Sequence, residues 1–332
     1  MRQFSDVMVI GGGGYVGAVL VPKLLEAGYL VKVYDLFIYG KDVFAAVKDH
    51  PNLTLVEGDV RNLELLEKEL VGTEAIIHLA CISNDPSFEL NPELGKSINF
   101  DCFEPLVKAA KSAGVKRFVY ASSSSVYGIK ECADVTEEMN LDPLTDYSKF
   151  KAMCEEVLLG YADDDFVGLV LRPATVCGYS PRQRLDLIVN ILTNHGVNRR
   201  KIIVNGGEQK RPNIHIEDIT DLYVRSLEYE DEKINGKIFN AGYDNFPVSE
   251  LARQVKEIVG SDVEIITEES NDPRSYHISS ARIKEELAFV PRHSIADAVR
   301  DLKAAIQDGC LDDPMNNPHY FNIKRMKEIH LE

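Results

Sequence analysis

"VMVIGGGGYVGAVLVPKLLEAG" occupies residues 7–28, and its reading decides the fold. Four apolar residues run straight into four glycines, and an apolar helical pattern follows from Val16 to Ala27. Two registers fit: Gly12, Gly14 and Gly17 as GxGxxG, or Gly11, Gly14 and Gly17 as GxxGxxG. Glycines at these points permit a tight turn and a close backbone approach, so that a pyrophosphate sits on the N-terminus of the next helix. The pattern is weak alone and gains weight from its strand–turn–helix setting. Tyr15 and Val16, inside the loop, fall in the same contact zone.

Outward from this loop, apolar runs at Val7–Ile10, Leu30–Tyr34, Leu53–Val56, Ala75–Leu79, Phe118–Ala121 and Val167–Leu171 read as strands. Helical patterns at Val16–Ala27, Leu63–Leu70, Pro92–Ala113 and Tyr147–Tyr161 lie between them. Continuous apolar strands alternating with helices predict a parallel sheet covered on both faces. The fold class is therefore α/β, a doubly wound Rossmann-type sheet, with ligands beyond the C-terminal strand ends. After about residue 178 the pattern becomes mixed, with helices at Leu185–Asn194, about Asp218–Tyr229, Ser249–Val259, Ala281–Leu287 and Ile295–Ile306, and short strands near Ile202–Val204 and Asn213–Ile216. Residues 1–178 are expected to bind the dinucleotide, with 213–242 returning to that sheet. Residues 179–332 form mainly a smaller mixed substrate lobe. The stretch "DDPMNNPHYFNIKRMKEIHLE" (312–332) is polar and reads as a segment that packs late or frays.

Asp35 closes the second strand, where an acid hydrogen-bonds the adenosine ribose and repels a 2′-phosphate, which favours NAD over NADP. Asp59 and Val60, after the third strand, are placed to neighbour the adenine.

With 332 residues, 45% of them hydrophobic, the chain can bury a large core. It has no apolar run of membrane-spanning length, and its start lacks a signal-peptide pattern, so a cytoplasmic protein is expected. The net charge of -16, from 37 basic and 53 acidic residues, argues against nucleic acid or an anionic membrane as partner. Six scattered cysteines form no CxxC pair and no His-flanked set, so reduced thiols and no metal site are expected.

"DYSKFKAMCEEVL" sets Tyr147 and Lys151 at i,i+4 on one helix face. The same spacing recurs at Tyr229–Lys233 and Tyr320–Lys324, but only the first follows a strand ending in serines, "YASSSSVYG" (120–128). With the glycine loop, Asp35, "GDVRN" (58–62), "HLA" (78–80), "SIN" (97–99), "LRPATVCG" (171–178) and "QKRPNIHIED" (209–218), this ordered set resembles the extended short-chain dehydrogenase/reductase superfamily, in its branch of NAD-dependent nucleotide-sugar epimerases and dehydratases. The resemblance covers about residues 5 to 310.

That resemblance implies NAD as cofactor and a nucleotide-diphosphate sugar as substrate. Tyr147 is then the catalytic base, and Lys151 lowers its pKa and bonds the nicotinamide ribose. Ser123 holds the reacting oxygen, with Ser122 and Ser124 the alternatives under a one-residue slip. A phenol ionises near pH 10, so work at neutral pH needs about three units, or about 4 kcal/mol, of help from nearby positive charge. Leu79, Ala80 and Asn99 fall at family cofactor positions. Asn84 faces the sugar, Arg211 and Arg274 match the family's diphosphate arginines, and Arg182 and Arg184 are further candidates. His78 and His215 read as structural. Family dehydratases carry Asp-Glu directly after the active hydroxyl, whereas this chain has Ser124-Ser125, so elimination lacks its proton carriers. The reading is a 4-epimerase or related 4-oxidoreductase, with a 4,6-dehydratase, a net C4 dehydrogenase and an NAD-sensing binding protein as alternatives. Thr175 stands where many C4 epimerases have asparagine, which leaves the sugar open. By family analogy a homodimer forms through the helices at Pro92–Ala113 and Tyr147–Tyr161.

Overall fold

A computed structural model describes residues 3–132, 134–270 and 275–331. Six strands of the main sheet match the apolar runs: β1 (Asp6–Ile10), β2 (Leu30–Asp35), β3 (Leu53–Glu57), β4 (Ala75–His78), β5 (Arg117–Ala121) and β6 (Val167–Pro173). Three shorter strands follow, β7 (Thr175–Cys177), β8 (Lys201–Asn205) and β9 (Lys210–His215). The last three are β10 (Lys237–Ala241), β11 (Asp244–Pro247) and β12 (Glu264–Glu268). The main sheet is parallel throughout, in the order β10-β6-β5-β4-β1-β2-β3. β1 thus lies between β2 and β4, and the connections leave it in opposite directions. This is the switch point at which an α/β sheet opens a crevice.

β1 shows why the strands read as unbroken apolar runs. Val7 and Val9 belong to the core on one face, Met8 and Ile10 to the core on the other, and all four are buried. Alternate side chains point to opposite faces, so a sheet covered on both sides makes every position apolar. β10 was not legible as a strand; it completes the sheet edge by pairing with β6, Phe239 opposite Leu171. β9 pairs antiparallel with β11 and parallel with β7, and β8 pairs with β12. A separate core of Val189, Leu192, Ile202, Val255 and Val299 supports the helices Ile188–Arg199, Val248–Val259 and Ile295–Gln307.

Several boundaries differ from expectation for identifiable reasons. The pattern at Pro92–Ala113 is broken by a π-helical turn at Ser97–Asp101, between the helices Pro92–Lys96 and Phe103–Ser112. The helix expected from Leu185 starts at Ile188, because the backbone of Leu187 is extended. That expected from Asp218 starts at Ile216, where the His215 ring accepts from the Glu217 N–H at 3.1 Å. The polar segment after residue 311 does not fray: Tyr320 and Phe321 pack beside Leu185, Leu302 and Leu311, and Met326 joins the main core. Among the described residues, no helix is long and apolar enough to cross a membrane, and no His, Cys, Asp or Glu group could hold a metal ion.

Helix Asp146–Tyr161 is tied to the sheet through one buried ion pair. Arg172 on β6 grips Glu155 with Nε at 3.0 and 3.2 Å and Nη2 at 2.5 Å, and its Nη1 donates to the Tyr127 hydroxyl at 2.7 Å. Tyr127 in turn donates to Asn240 on β10 at 2.7 Å, and Ser122 donates to Glu155. The side chains of Arg172 and Glu155 are 3% and 2% exposed. Removing one partner of such a pair strands a buried charge, at a cost of about 3–5 kcal/mol. Glu155→Ala is expected to lose stability in that range by urea unfolding; a loss below 1 kcal/mol would show that water replaces the pair.

Candidate functional site

The strand tips around the switch point line a cavity of about 570 Å³ that runs from the glycine loop to Tyr147 and on to Arg211. That size suits a small-molecule ligand. Of the expected site residues, Gly11, Gly14, Tyr15, Val16, Gly17, Asp35, Val60, Leu79, Ala80, Asn84, Ser123, Tyr147, Lys151, Thr175, Arg182, Arg184 and Arg211 all line it. Arg274 lies outside the described residues. Asp59 and Asn99 are not on the wall.

The glycine loop adopts the register Gly11, Gly14 and Gly17. Gly11 has φ +84°, and a Cβ there would meet the Ala80 backbone nitrogen at 2.3 Å; one at Gly17 would meet the Gly12 carbonyl oxygen at 2.2 Å. Both glycines are required by the protein's own packing. Gly14 is different: a Cβ would come no nearer than 3.4 Å to a protein atom, the Gly11 oxygen. The protein's own packing therefore does not demand glycine there, and the open backbone fits the close approach of a dinucleotide pyrophosphate. Tyr15 lines the wall, and its hydroxyl donates to the Gly178 carbonyl at 2.7 Å and accepts from Asn190 at 3.0 Å.

At the end of β2, Asp35 accepts from the Gly13 N–H at 2.9 Å and the Phe37 N–H at 2.7 Å. Enclosure pushes its carboxyl above the ordinary carboxylate range, while the two N–H donors and Arg182 pull it down. Asp59 departs from expectation because Arg61 claims it, through the backbone N–H at 2.8 Å and Nη2 at 2.6 Å. That bonding holds the Asp59 carboxyl below its usual range. Asn99 likewise turns inward: its amide accepts from the Ile82 N–H at 2.8 Å and donates to the Ile82 carbonyl at 3.0 Å, bracing the loop after β4.

At the other end of the cavity, the four serines separate into distinct roles. Ser122 is spent on Glu155. Ser124 opens a short 3₁₀ turn and is buried. Ser123 caps that turn, accepting from the Ser125 N–H at 3.2 Å with the Ser125 hydroxyl 2.9 Å away. Thr145 caps the helix from Asp146 in a reciprocal capping box with Ser148, which fixes Tyr147 and Lys151 in its first two turns. Lys151 is 3% exposed, donates to the Ala121 carbonyl at 2.7 Å and lies over the Tyr120 ring. Behind it, burial pulls His78 down to about 3, so the imidazole is neutral and adds no charge. Enclosure pushes the Tyr147 phenol well above 10, reinforced by Cys81 and Asp85, while Arg184 and the Ser123 hydrogen bond pull it down.

The arginines take unequal places. Arg184 is buried between Asp186 at 2.9 Å and the Ser83 hydroxyl at 3.1 Å. Arg182 stacks on Tyr39, its carbon 3.5 Å from the ring centre, near Asp35. Arg211 lies at the outer wall beside Tyr276. Asn84 caps the helix Asp85–Phe88, accepting from the Ser87 N–H at 3.0 Å, with φ +77°. Sequence reasoning missed Tyr39, Ser83, Asp186 and Asn322, which line the cavity or hold its arginines. None belongs to a recurring motif.

A dinucleotide-binding switch point facing a Ser–Tyr–Lys set on one cavity wall defines a protein of the short-chain dehydrogenase/reductase type. The model of the NAD dependent epimerase/dehydratase family matches residues 7–242, and the chain belongs to that family. It is 26% identical over 324 residues to the UDP-glucose 4-epimerase of Corynebacterium glutamicum, covering 91% of this chain and 94% of that protein. It is 29% identical over 309 residues to the dTDP-glucose 4,6-dehydratase of Streptomyces griseus, covering 89% and 92%. Among solved structures, MoeE5 in complex with UDP-glucuronic acid and NAD superposes with a TM-score of 0.80 at 25% identity, over 92% of this chain and all of that one. The protein is thus an NAD-dependent enzyme of this family.

The glycines supply a test. Gly14→Ala is expected to keep wild-type thermal stability and lose at least about tenfold in NAD affinity, about 1.4 kcal/mol. Gly17→Ala is expected to destabilise the fold itself. Calorimetric titration with NAD checks both, and an unaltered affinity in Gly14→Ala would contradict the loop assignment.

Proposed function

We propose that the protein is a nucleotide-sugar 4-epimerase, or a closely related 4-oxidoreductase, that oxidises C4 transiently and restores hydrogen to the same carbon. The observation that carries this reading is the set of groups around Tyr147. Ser124 and Ser125, directly after Ser123, stand where family dehydratases carry an Asp-Glu pair. Among the described residues, the acidic side chains on the cavity wall are Asp35, Asp85 and Asp186. Asp35 is held by backbone N–H groups at the ribose end, Asp85 accepts from Thr145 at 2.6 Å, and Asp186 is paired with Arg184. Elimination of water needs a positioned acid and base beside the leaving group, and these contacts give none of the three that task. Oxidation at an alcohol carbon needs one base, and Tyr147 supplies it.

In this reading Ser123 donates to the sugar oxygen and Tyr147 accepts its proton. Lys151 and Arg184 provide the positive charge that favours the phenolate. Bound NAD supplies the hydride acceptor and, in the return step, the donor. Epimerisation follows when the 4-keto sugar turns its other face before hydrogen returns. Arg211, on the cavity wall, holds the diphosphate, where a bidentate guanidinium group suits phosphate oxygens.

Tyr147→Phe is expected to bind NAD normally and lose about 10²–10⁴ in turnover of a nucleotide sugar, the scale of a removed general base. Because the deprotonated phenol is the working form and enclosure raises its pKa, the rate should climb with pH until the phenol has ionised. Lys151→Met removes a cation that favours the phenolate, so the rising limb should move to higher pH. A limb that stays in place would remove Lys151 from this role, and full activity in Tyr147→Phe would refute the proposal.

A further inference from the structure

The segment 318–331 lies beyond the family match at residues 7–242, yet it reaches the centre of the site. Asn322 is 4% exposed. Its amide oxygen accepts from the Tyr39 hydroxyl at 2.9 Å and from Arg182 Nη2 at 2.6 Å. Its amide nitrogen donates to the Ser83 hydroxyl at 3.0 Å, and its backbone N–H to Asp186 at 3.0 Å. Tyr39 stands in the loop after β2, Ser83 in the loop after β4, and Arg182 and Asp186 in the loop after β7. β2 and β4 flank β1. A dinucleotide lying over the tip of β1 therefore runs between the loops that Asn322 joins.

Two further contacts hold the segment there. Arg325 Nε donates to the Ile38 carbonyl at 2.7 Å, again in the loop after β2. Met326, 3% exposed, belongs to the same apolar core as Val60, Ile82 and Phe88. Asn322, Met326 and Leu331 all form part of the cavity wall. An asparagine that places its carbonyl, its amide and its backbone N–H on three separate loops is a cross-link, not a surface polar residue.

We propose that residues 318–331 form a strap across the cofactor groove, and that Asn322 is the positioning residue that pins it. Bound NAD leaves only when the strap undocks. The inference deepens the epimerase reading, because a cycle that returns hydrogen to its own substrate gains nothing from releasing the cofactor. It does not depend on any sugar, so its test is separate from the test of that reading.

The experiment is exchange of bound NAD against excess labelled NAD in the full chain, with Asn322→Ala and Arg325→Ala as variants. Affinity changes of this kind fall mainly on the dissociation rate. Asn322→Ala is expected to release NAD at least tenfold faster, and Arg325→Ala several-fold faster. Asn322→Asp keeps the acceptor for Tyr39 and Arg182 and should recover part of the loss. A merely structural role would lower the melting temperature of Asn322→Ala and leave the exchange rate unchanged, and that result would overturn the proposal. So would a fast exchange already present in the unaltered protein.

Discussion

The contact on which the site depends is the buried pair of Glu155 and Arg172. Burying two charges is costly, and such pairs are weak sources of net stability. What this one supplies is orientation. Tyr147, Lys151 and Glu155 follow at intervals of four, so they lie along one face of the helix Asp146–Tyr161. Fixing Glu155 against β6 fixes the rotation of the helix about its axis, and with it the direction of the phenol and the ammonium. Through Ser122 the same carboxylate holds the strand end that presents Ser123, so the hydroxyl and the base are set by one anchor.

Around that anchor the electrostatics pull in opposite directions. Enclosure favours the neutral phenol, and the nearby Cys81 and Asp85 add to that preference. Arg184 and the Ser123 hydrogen bond oppose it. Lys151, whose ammonium is held by the Ala121 carbonyl, brings further positive charge into the same enclosed space. The low-dielectric setting that raises the phenol also makes each neighbouring cation count for more. The chain carries a net charge of -16, yet Arg182, Arg184 and Arg211 gather on the wall of this one cavity, a local concentration of positive charge within an acidic protein.

Much of this was legible because it rests on local rules. The apolar runs marked six parallel strands, since burial on both faces leaves no polar position to confuse the pattern. The glycine loop and the i,i+4 spacing of Tyr147 and Lys151 were legible because turn geometry and helix geometry constrain neighbours in sequence. What stayed hidden depends on long-range pairing. β10 is a short strand completed by β6, more than sixty residues away in sequence. Asp59 and Asn99 looked like wall residues by position, but Arg61 and the Ile82 backbone offered them nearer partners. The C-terminal segment looked solvated because its apolar content is low, and Asn322 earned no notice because an asparagine among polar residues carries no periodic signal. Its partners lie 283, 239, 140 and 136 residues away.

The central claim, that C4 is oxidised and then given back its own hydrogen, is tested most directly by isotope-resolved mass spectrometry. The NAD-loaded protein would be incubated in D2O with a panel of nucleotide sugars, and the products separated and weighed. The account predicts a stereoisomer of the starting sugar at unchanged mass, because the hydrogen leaving C4 never exchanges with solvent. A product that has lost water would contradict it and make the serines after Ser123 compatible with dehydration. A product that has lost two hydrogens, with NADH accumulating, would contradict it in favour of net oxidation.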